Sequence, residues 1–339
     1  DLRNRVLRMT DEERFGDDPL RVLRGMQFVG RFGLMIDDRT AYVMRTIRDE
    51  LRHLSKERLR EEWLKLFLRS SKPSLGLNAA MEFGIFHALH AEEIVPMLQT
   101  PQEMEYHPEG DAWIHTMMVV DEAAKIVMEG NIAERDATIV LLAAFCHDLG
   151  KPDTTKIKAG KITSHAHEEA GVGPTEKFLS TIGIEESLRA PIRKLVAEHL
   201  KPTLLYLDEV KRGKPVSDGV IHRLALRLHP ATIAQLVSVG RADHLGRGPF
   251  VDPREPEKSF IPRDYPAGDW LLGRAEKLAV LDSKPKPVLM GRDLMSLGLR
   301  EGVAIGKIIE LANRLRDENG KTREELLFVV SEHIAMGKE

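Results

Sequence analysis

Cysteine is nearly missing: Cys146 is the only one in 339 residues. That excludes a disulfide framework and any zinc or iron–sulfur centre built on several thiolates. Long hydrophobic runs are missing too. The longest strongly apolar stretch, Ile139 to Cys146, is far short of a bilayer-spanning helix, and no leader pattern of basic then apolar residues opens the chain. Alternating Val/Ile/Thr segments with turn punctuation are scarce, which leaves room for a small hairpin at most. Nor does one sign of charge dominate. Lys+Arg 50 against Asp+Glu 53 gives −3, with 42% hydrophobic residues, an ordinary globular composition that excludes disordered, collagen-like and low-complexity chains. These absences describe a soluble, cytoplasmic protein of about two domains by length, with no membrane partner.

The charge that is present is unevenly spread. Residues 1–72 carry 17 Lys/Arg against 13 Asp/Glu, and the remainder 33 against 40. Such a basic segment suits either a phosphate-facing surface or ordinary solvated helix faces. Helical periodicity dominates the pattern. Val22, Met26, Val29 and Phe32 share one helical face, as do Leu59, Trp63, Leu66 and Phe67. A helix carrying Ile114, Met117, Met118 and Asp121 follows His107-Pro108-Glu109-Gly110. The stretch from Arg135 to His147 is apolar on most sides and should be central. Thr154 to Thr163, centred on Ala159-Gly160, is the best hairpin candidate. Breaks fall at Ser70 to Pro73, at Asp208 to Gly219, and at Gly246 to Gly268, whose five prolines predict an irregular linker. A last unit opens near Ser283 to Pro287 and ends its main helix at Asn319-Gly320. The expected fold is all-α, in about three units.

The richest chemistry lies in Phe145-Cys-His-Asp-Leu-Gly-Lys151. A histidine and an aspartate at the end of a buried helix offer two good ligands for a divalent metal. Gly150 allows a close turn, and Lys151 is within reach of a phosphoryl oxygen. Any one of the 13 histidines could be an ordinary surface or core residue, but their order is informative. His115, His147-Asp148-x-Gly-Lys, His167-x-x-x-Gly171, His199 and Ala242-Asp243 together resemble the HD metal-dependent phosphohydrolase superfamily. The resemblance implies that His115, His147, Asp148 and Asp243 bind one metal. In some members two middle histidines hold a second ion; here they match His167 and His199, with His165 a competitor. Such ligands suit Mn, Fe, Co, Ni or Zn, and Mg less well. A bound metal would acidify water and polarise a phosphoryl oxygen, with Asp148 orienting the water or bridging two ions and Lys151 offsetting developing charge.

A second resemblance covers nearly the whole chain. Arg14-Phe-Gly-Asp-Asp-Pro-Leu-Arg-Val-Leu-Arg24, then Gln27-Phe28 and Arg31-Phe-Gly33, resemble the neck of bacterial tRNA nucleotidyltransferases, the CCA-adding enzymes. Leu54 to Glu62, Lys72-Pro73, His107-Pro-Glu-Gly-Asp111, Gly291-Arg-Asp-Leu294 and Leu297-Gly298 continue the likeness. In that family an acidic pair followed by x-x-Arg reads the base of CTP or ATP, a carboxylate accepting from an exocyclic amine while arginine donates to ring acceptors. The matching residues are Asp18 and Arg21, with Asp17 standing where the family usually has Glu. Arg24 and Arg31 are the matching candidates for RNA contact. A second motif, Glu57-Arg58-x-x-x-Glu62, is thought to brace the neck; helix-surface ion pairing is the alternative for both motifs.

The family's catalytic head, a Gly-Ser or Gly-Gly turn followed by Asp-x-Asp, has no match in residues 1–339, and the chain begins Asp1-Leu2-Arg3. The expectation is therefore a chain that does not add CCA by itself: a fragment of a longer enzyme, half of a split system with a separate nucleotidyltransferase head, or a standalone phosphohydrolase with an RNA-binding neck. The implied organisation is a neck over 1–72, a helical connector over 73–104, an HD phosphohydrolase domain over 105–250, a Pro-rich linker over 251–288 and a helical tail over 289–339. The implied activity is metal-dependent hydrolysis of phosphoesters at tRNA 3′ ends, of the 2′,3′-cyclic phosphodiesterase, 2′-nucleotidase or phosphatase type. The rival readings are a non-catalytic tRNA-docking module and an HD enzyme acting on free nucleotides.

Overall fold

In the computed structural model, which describes residues 1–252 and 255–335, the chain is all-α, with three two-stranded pairings as its only sheet among the described residues. Positions 253–254 of the expected linker and 336–339 of the expected tail lie outside the described residues. The neck helices Leu20–Phe32 and Lys56–Arg69 pack on each other and on Pro73–Glu82. Val22 and Met26 are fully buried along the first helix. Phe32, on the same periodic face, is instead 51% exposed, because the helix ends there at Gly33 and the Arg31 guanidinium lies over its ring.

Four helices build the region around the histidines. Ala112–Glu129 starts at Asp111, whose carboxylate accepts from the Ile114 amide at 2.9 Å, a cap that contributes about 1 kcal/mol. Glu134–Cys146 is buried at every position from Ala137 onward, as its all-round apolar sequence demands. Glu186–Glu198 packs beside it. Ile233–Leu245 opens with a reciprocal Thr232/Gln235 cap and lies against the first two. The expected hairpin is present as Thr155–Lys158 paired antiparallel with Lys161–Ser164.

Few as they are, the aromatic residues are concentrated where these units meet. Trp63 touches Phe86 at 5.8 Å and Phe178 at 5.6 Å between ring centres, Phe67 touches Phe145 at 5.7 Å, and Phe86 touches Trp113 at 6.0 Å. One continuous core therefore runs from Leu20 to Val280, through neck, connector and histidine-bearing helices alike. The tail has a small core of its own around Leu289, Leu294, Ala312 and Leu326. It docks through the buried Asp317, which pairs with His222 at 3.0 Å. A Cβ on Gly219 would lie 1.7 Å from the Asp317 carbonyl, so only glycine permits that approach.

The linker expected over 251–288 is corrected by the structure. Phe250–Asp252 pairs with Glu255–Phe260, and Pro266–Lys277 forms a 12-residue helix with Leu271 and Ala275 buried. Pro266 is the reason the pattern misleads: at the first helical position proline costs no hydrogen bond and its fixed φ suits the helix.

The shared core yields a test. Trp63→Ala should cost about 3–5 kcal/mol in urea unfolding, with neck and histidine-bearing helices losing structure in one transition. A cost under about 1 kcal/mol would contradict the shared core.

Candidate metal centre

Three histidines reach the centre from helix ends, each with one ring nitrogen tied to its own chain. His147 follows Glu134–Cys146 and donates from Nδ1 to the Ala144 carbonyl at 2.8 Å. His167 opens the short helix His167–Ala170 and donates to the Ser164 carbonyl at 2.7 Å. His199 follows Glu186–Glu198 and donates to the Val196 carbonyl at 2.8 Å. The bond is i to i−3 each time, and it leaves Nε2 as the free lone pair. His115, in the first turn of Ala112–Glu129, differs: its Nδ1 lies 2.8 Å from Glu109 Oε1.

All four Nε2 atoms converge on two carboxylates. His115 Nε2 is 3.1 Å from Asp243 Oδ1 and 3.7 Å from Asp148 Oδ2. His147 Nε2 is 3.1 Å from Asp148 Oδ2. On the other side of the same carboxylate, His167 Nε2 is 3.2 Å from Asp148 Oδ1 and 3.3 Å from His199 Nε2. Atoms bonded to one ion at about 2.0–2.2 Å stand about 3.0–3.5 Å apart, so these spacings fit a metal. His115–His147–Asp148 and Asp148–His167–His199 form two buried trios that share Asp148. His147 Nε2 is buried without a well-aligned hydrogen bond, a donor atom that a cation would satisfy, while Asp148 Oδ2 faces the Lys151 ammonium at 2.6 Å. His165, the competitor to His167, stands exposed outside the cluster.

The backbone makes this convergence possible at one crossing. A Cβ on Gly150 would fall 2.1 Å from the His167 carbonyl oxygen and 2.5 Å from the Gly171 amide. Gly150 and Gly171 therefore pack backbone to backbone, holding the His147-Asp148 turn against the His167 helix. The two glycines of the sequence pattern serve one contact.

Burial opposes charge throughout the site, and the neighbours decide the outcome. Burial raises the Asp148 carboxyl, but His147 and Lys151 outweigh it and hold it well below its ordinary range. Asp243 behaves likewise, held down against burial by Arg247 and His115. Burial, with His147 and His167 adding to it, pushes His199 down to about 3, so that ring is neutral near pH 7. His115 and His167 are raised, since their carboxylate partners outweigh burial. The two carboxylates are met by the side-chain cations of Lys151 and Arg247 and by the imidazoles around them, and a divalent ion would add to that charge balance.

Sequence reasoning missed Glu109, Arg247 and Gln102, the last as a partner of Lys151. Glu109 stands within 2.9 Å of His107 and 2.8 Å of His115 and accepts from the Gly248 amide at 3.0 Å. Arg247 grips both Asp243 oxygens at 2.8 and 2.9 Å. Lys151 Nζ lies 2.6 Å from Asp148 Oδ2 and also donates to Gln102. The four-residue spacing of Asp243, near the end of the helix Ile233–Leu245, and Arg247, just past it, was the available signal; Glu109 had only its place in the His-Pro-Glu-Gly string, and Gln102 had none. Cys146 is buried and its thiol pushed up by burial, an inert core residue.

The neck residues form a separate group. Arg58 holds both oxygens of Asp18 at 2.9 and 3.0 Å, and Arg24 approaches Glu62 at 3.7 Å. The two neck motifs thus brace each other. Arg21 donates to the Arg14 carbonyl, Asp17 is exposed, and Arg31 bonds Gln27 at 3.2 Å. Arg8, Arg14, Arg21 and Arg24 line a cavity of about 330 Å³. Among the described residues no hydrogen bond or ion pair joins this group to the metal cluster.

Comparison with known proteins agrees with both halves. Residues 112–237 match the HD domain model, and residues 33–98 match a model described as a probable RNA- and SrmB-binding site of polymerase A. The multifunctional CCA proteins of two strains of Xanthomonas campestris pv. campestris, B100 and ATCC 33913, are each 34% identical to this chain over 256 residues, 73% of this chain and 58% of theirs. The chain thus spans less than two thirds of those relatives. The Bacillus stearothermophilus CCA-adding enzyme solved with CTP aligns at TM-score 0.56 and 16% identity, over 99% of this chain and 67% of that one. A CCA-adding enzyme in another complex with CTP aligns at TM-score 0.53 and 15% identity, over 100% and 65%. At such identity the likeness is one of fold. No helix among the described residues is long and apolar enough to cross a membrane.

The contact between Glu109 and His115 should tune metal affinity. Glu109→Gln is expected to weaken binding of Mn or Ni by about 10–100-fold in titration calorimetry, with the fold intact by circular dichroism. An unchanged affinity would refute that role.

Proposed function

Starting from a chain that belongs to the HD superfamily and is homologous to the multifunctional CCA proteins, we propose that its HD region, residues 105–250, is a divalent-metal-dependent phosphohydrolase acting at tRNA 3′ ends in the cytoplasm. The observation that carries the reading is the pair of buried trios sharing Asp148. The donor set of imidazole and carboxylate suits Mn, Fe, Co, Ni or Zn better than Mg. His115, His147, Asp148 and Asp243 would hold one ion, and Asp148, His167 and His199 a second. Bound there, the metal supplies Lewis acidity toward phosphate and a more acidic water.

The chain's own groups do the rest. Lys151, fixed by Gln102 and Asp148, places an ammonium at the rim of the cluster, where a non-bridging phosphoryl oxygen would be received. Arg247 keeps Asp243 ionised and oriented. Asp148, with an oxygen turned to each trio, is the group that orients water for attack. On a 2′,3′-cyclic phosphate, water adds at phosphorus, one P–O bond to a ribose oxygen breaks, and that oxygen leaves with a proton. Substrates of the 2′-nucleotide and phosphomonoester type present the same centre.

The neck, residues 1–72, we read as presenting the Asp18–Arg21 edge and the basic surface of Arg24 and Arg31 to RNA and to CTP or ATP, in service of a nucleotidyltransferase head, joined or separate. The solved relatives with CTP support that reading.

The decisive experiment is hydrolysis of 2′,3′-cyclic AMP and of tRNA ending in a cyclic phosphate by metal-stripped protein reloaded with Mn, Ni, Co or Mg. Turnover should need metal and fall at least about 100-fold in Asp148→Asn. Absence of turnover with every metal, in folded protein, would leave a tRNA-docking module instead; preference for free nucleotides over tRNA would favour the other rival.

A further inference from the structure

The hairpin Thr155–Lys158/Lys161–Ser164 leaves the helical body and returns to it beside the metal cluster. Its first strand follows the helix Lys151–Thr154, which carries Lys151. Its second strand ends at Ser164, whose carbonyl takes the His167 Nδ1 proton.

In a strand, alternate residues share a face. Lys156 and Lys158 are on one face, and the register sets Lys161 directly opposite Lys158 and Thr163 opposite Lys156. The other face carries Thr155, Ile157, Ile162 and Ser164. Three exposed lysines thus crowd one side of a four-residue-long ladder, with Lys156 and Lys158 about 7 Å apart along the strand. None of the three has a carboxylate within ion-pair distance among the described residues. Glu103, the acidic residue that does reach the hairpin, accepts from the Ile162 amide.

This arrangement is unfavourable for the hairpin itself. Like charges directly across a strand pair destabilise it. The turn adds to this, since Ala159 holds φ 49° before Gly160 at φ 77°, where Asn or Asp is the usual choice. A small tip without side-chain bulk leaves Lys158 and Lys161 open on both strands. Some surface lysines meet partners, as Lys65 does with Glu61 at 2.8 Å and Lys177 with Glu93 at 2.7 Å, and others, such as Lys194, Lys211 and Lys277, are exposed without an ion pair among the described residues. The hairpin differs in gathering three such lysines on one face, two of them directly opposed across the ladder.

We propose that the lysine face of this hairpin is a guide for the phosphate backbone of single-stranded RNA, delivering a 3′ end to the metal cluster. A flexible polyanion fits this face better than a folded acidic partner. Three ammoniums grouped on one face of a narrow ladder match a chain of spaced charges, and the apolar Ile157 and Ile162 lie on the other face. The proposal rests on the reading of the cluster as acting at RNA ends, but it is tested by binding, apart from turnover.

The experiment compares the wild-type chain with Lys156→Gln/Lys158→Gln/Lys161→Gln and with a charge-matched control, Lys194→Gln/Lys211→Gln/Lys277→Gln, whose lysines are also exposed. Anisotropy of a 3′-labelled single-stranded RNA, and of a tRNA carrying a 3′-cyclic phosphate, is titrated at several salt concentrations. The hairpin variant should bind at least tenfold more weakly, and its slope of log affinity against log salt should fall by about 2, at about 0.7 per phosphate contact on a single strand. The control should match wild type. Melting of the hairpin variant should be unchanged or raised, since a repulsion is removed. Hydrolysis of 2′,3′-cyclic AMP should be unaffected while KM for the tRNA substrate rises. Equal binding by wild type and hairpin variant, or an equal loss in the control, overturns the guide. Retained RNA binding at the hairpin without any hydrolysis would sink the phosphohydrolase reading and leave the guide standing.

Discussion

The constraint on which the structure depends is the burial of Asp148 and Asp243 in the interior of a helical protein. An unpaired buried carboxylate costs several kcal/mol even after relaxation, so each must be met by cations or donors of good geometry. The chain meets them with imidazoles fixed in one tautomer. His147, His167 and His199 each spend Nδ1 on a carbonyl three residues back, at points where a helix begins or ends and that carbonyl lies within reach. Nε2 is then committed inward. Lys151 and Arg247 complete the charge balance from residues three and four positions beyond the aspartates they serve.

Holding four imidazoles and two carboxylates to within a few tenths of an ångström needs a rigid frame. The frame is the apolar helix Glu134–Cys146, wrapped by helices bearing His115, His199 and Asp243, and locked at one end by the Gly150–Gly171 crossing. The aromatic contacts of Trp63, Phe67 and Phe86 with Phe145 and Phe178 extend that frame into the neck. Neck and metal centre are therefore mechanically one body, although no polar contact among the described residues links their functional groups. An RNA held by the basic neck would find the cluster at a fixed distance rather than on a tethered module.

Much of this was legible in the residues themselves. The order and spacing of His115, His147-Asp148, His167, His199 and Asp243 points to one cluster because residues at successive helix ends leave a trace along the chain, and the structure brings these side chains together. The all-apolar helix before His147 and the Ala159-Gly160 turn are local signals and appear where they were expected. Glu109, Gln102 and Arg247 were not legible as partners, since their roles arise from tertiary approach: Glu109 reaches His115 from the preceding loop, and Gln102 reaches Lys151 from 49 residues away. The mutual bracing of Asp18 by Arg58 joins two motifs 40 residues apart. The helix Pro266–Lys277 is masked in the sequence by its proline, which reads as a breaker but at a helix start is a good first residue.

Asp148 turns one oxygen to each histidine trio, so a metal held there is best sought by anomalous diffraction from crystals soaked in Mn or Co. A peak is expected within about 2.0–2.4 Å of His115 Nε2, His147 Nε2 and Asp148 Oδ2, with any second peak on the His167–His199 side of the same carboxylate. Density only at other sites, or none at saturating metal with the fold intact, would contradict a metal centre bridged by Asp148.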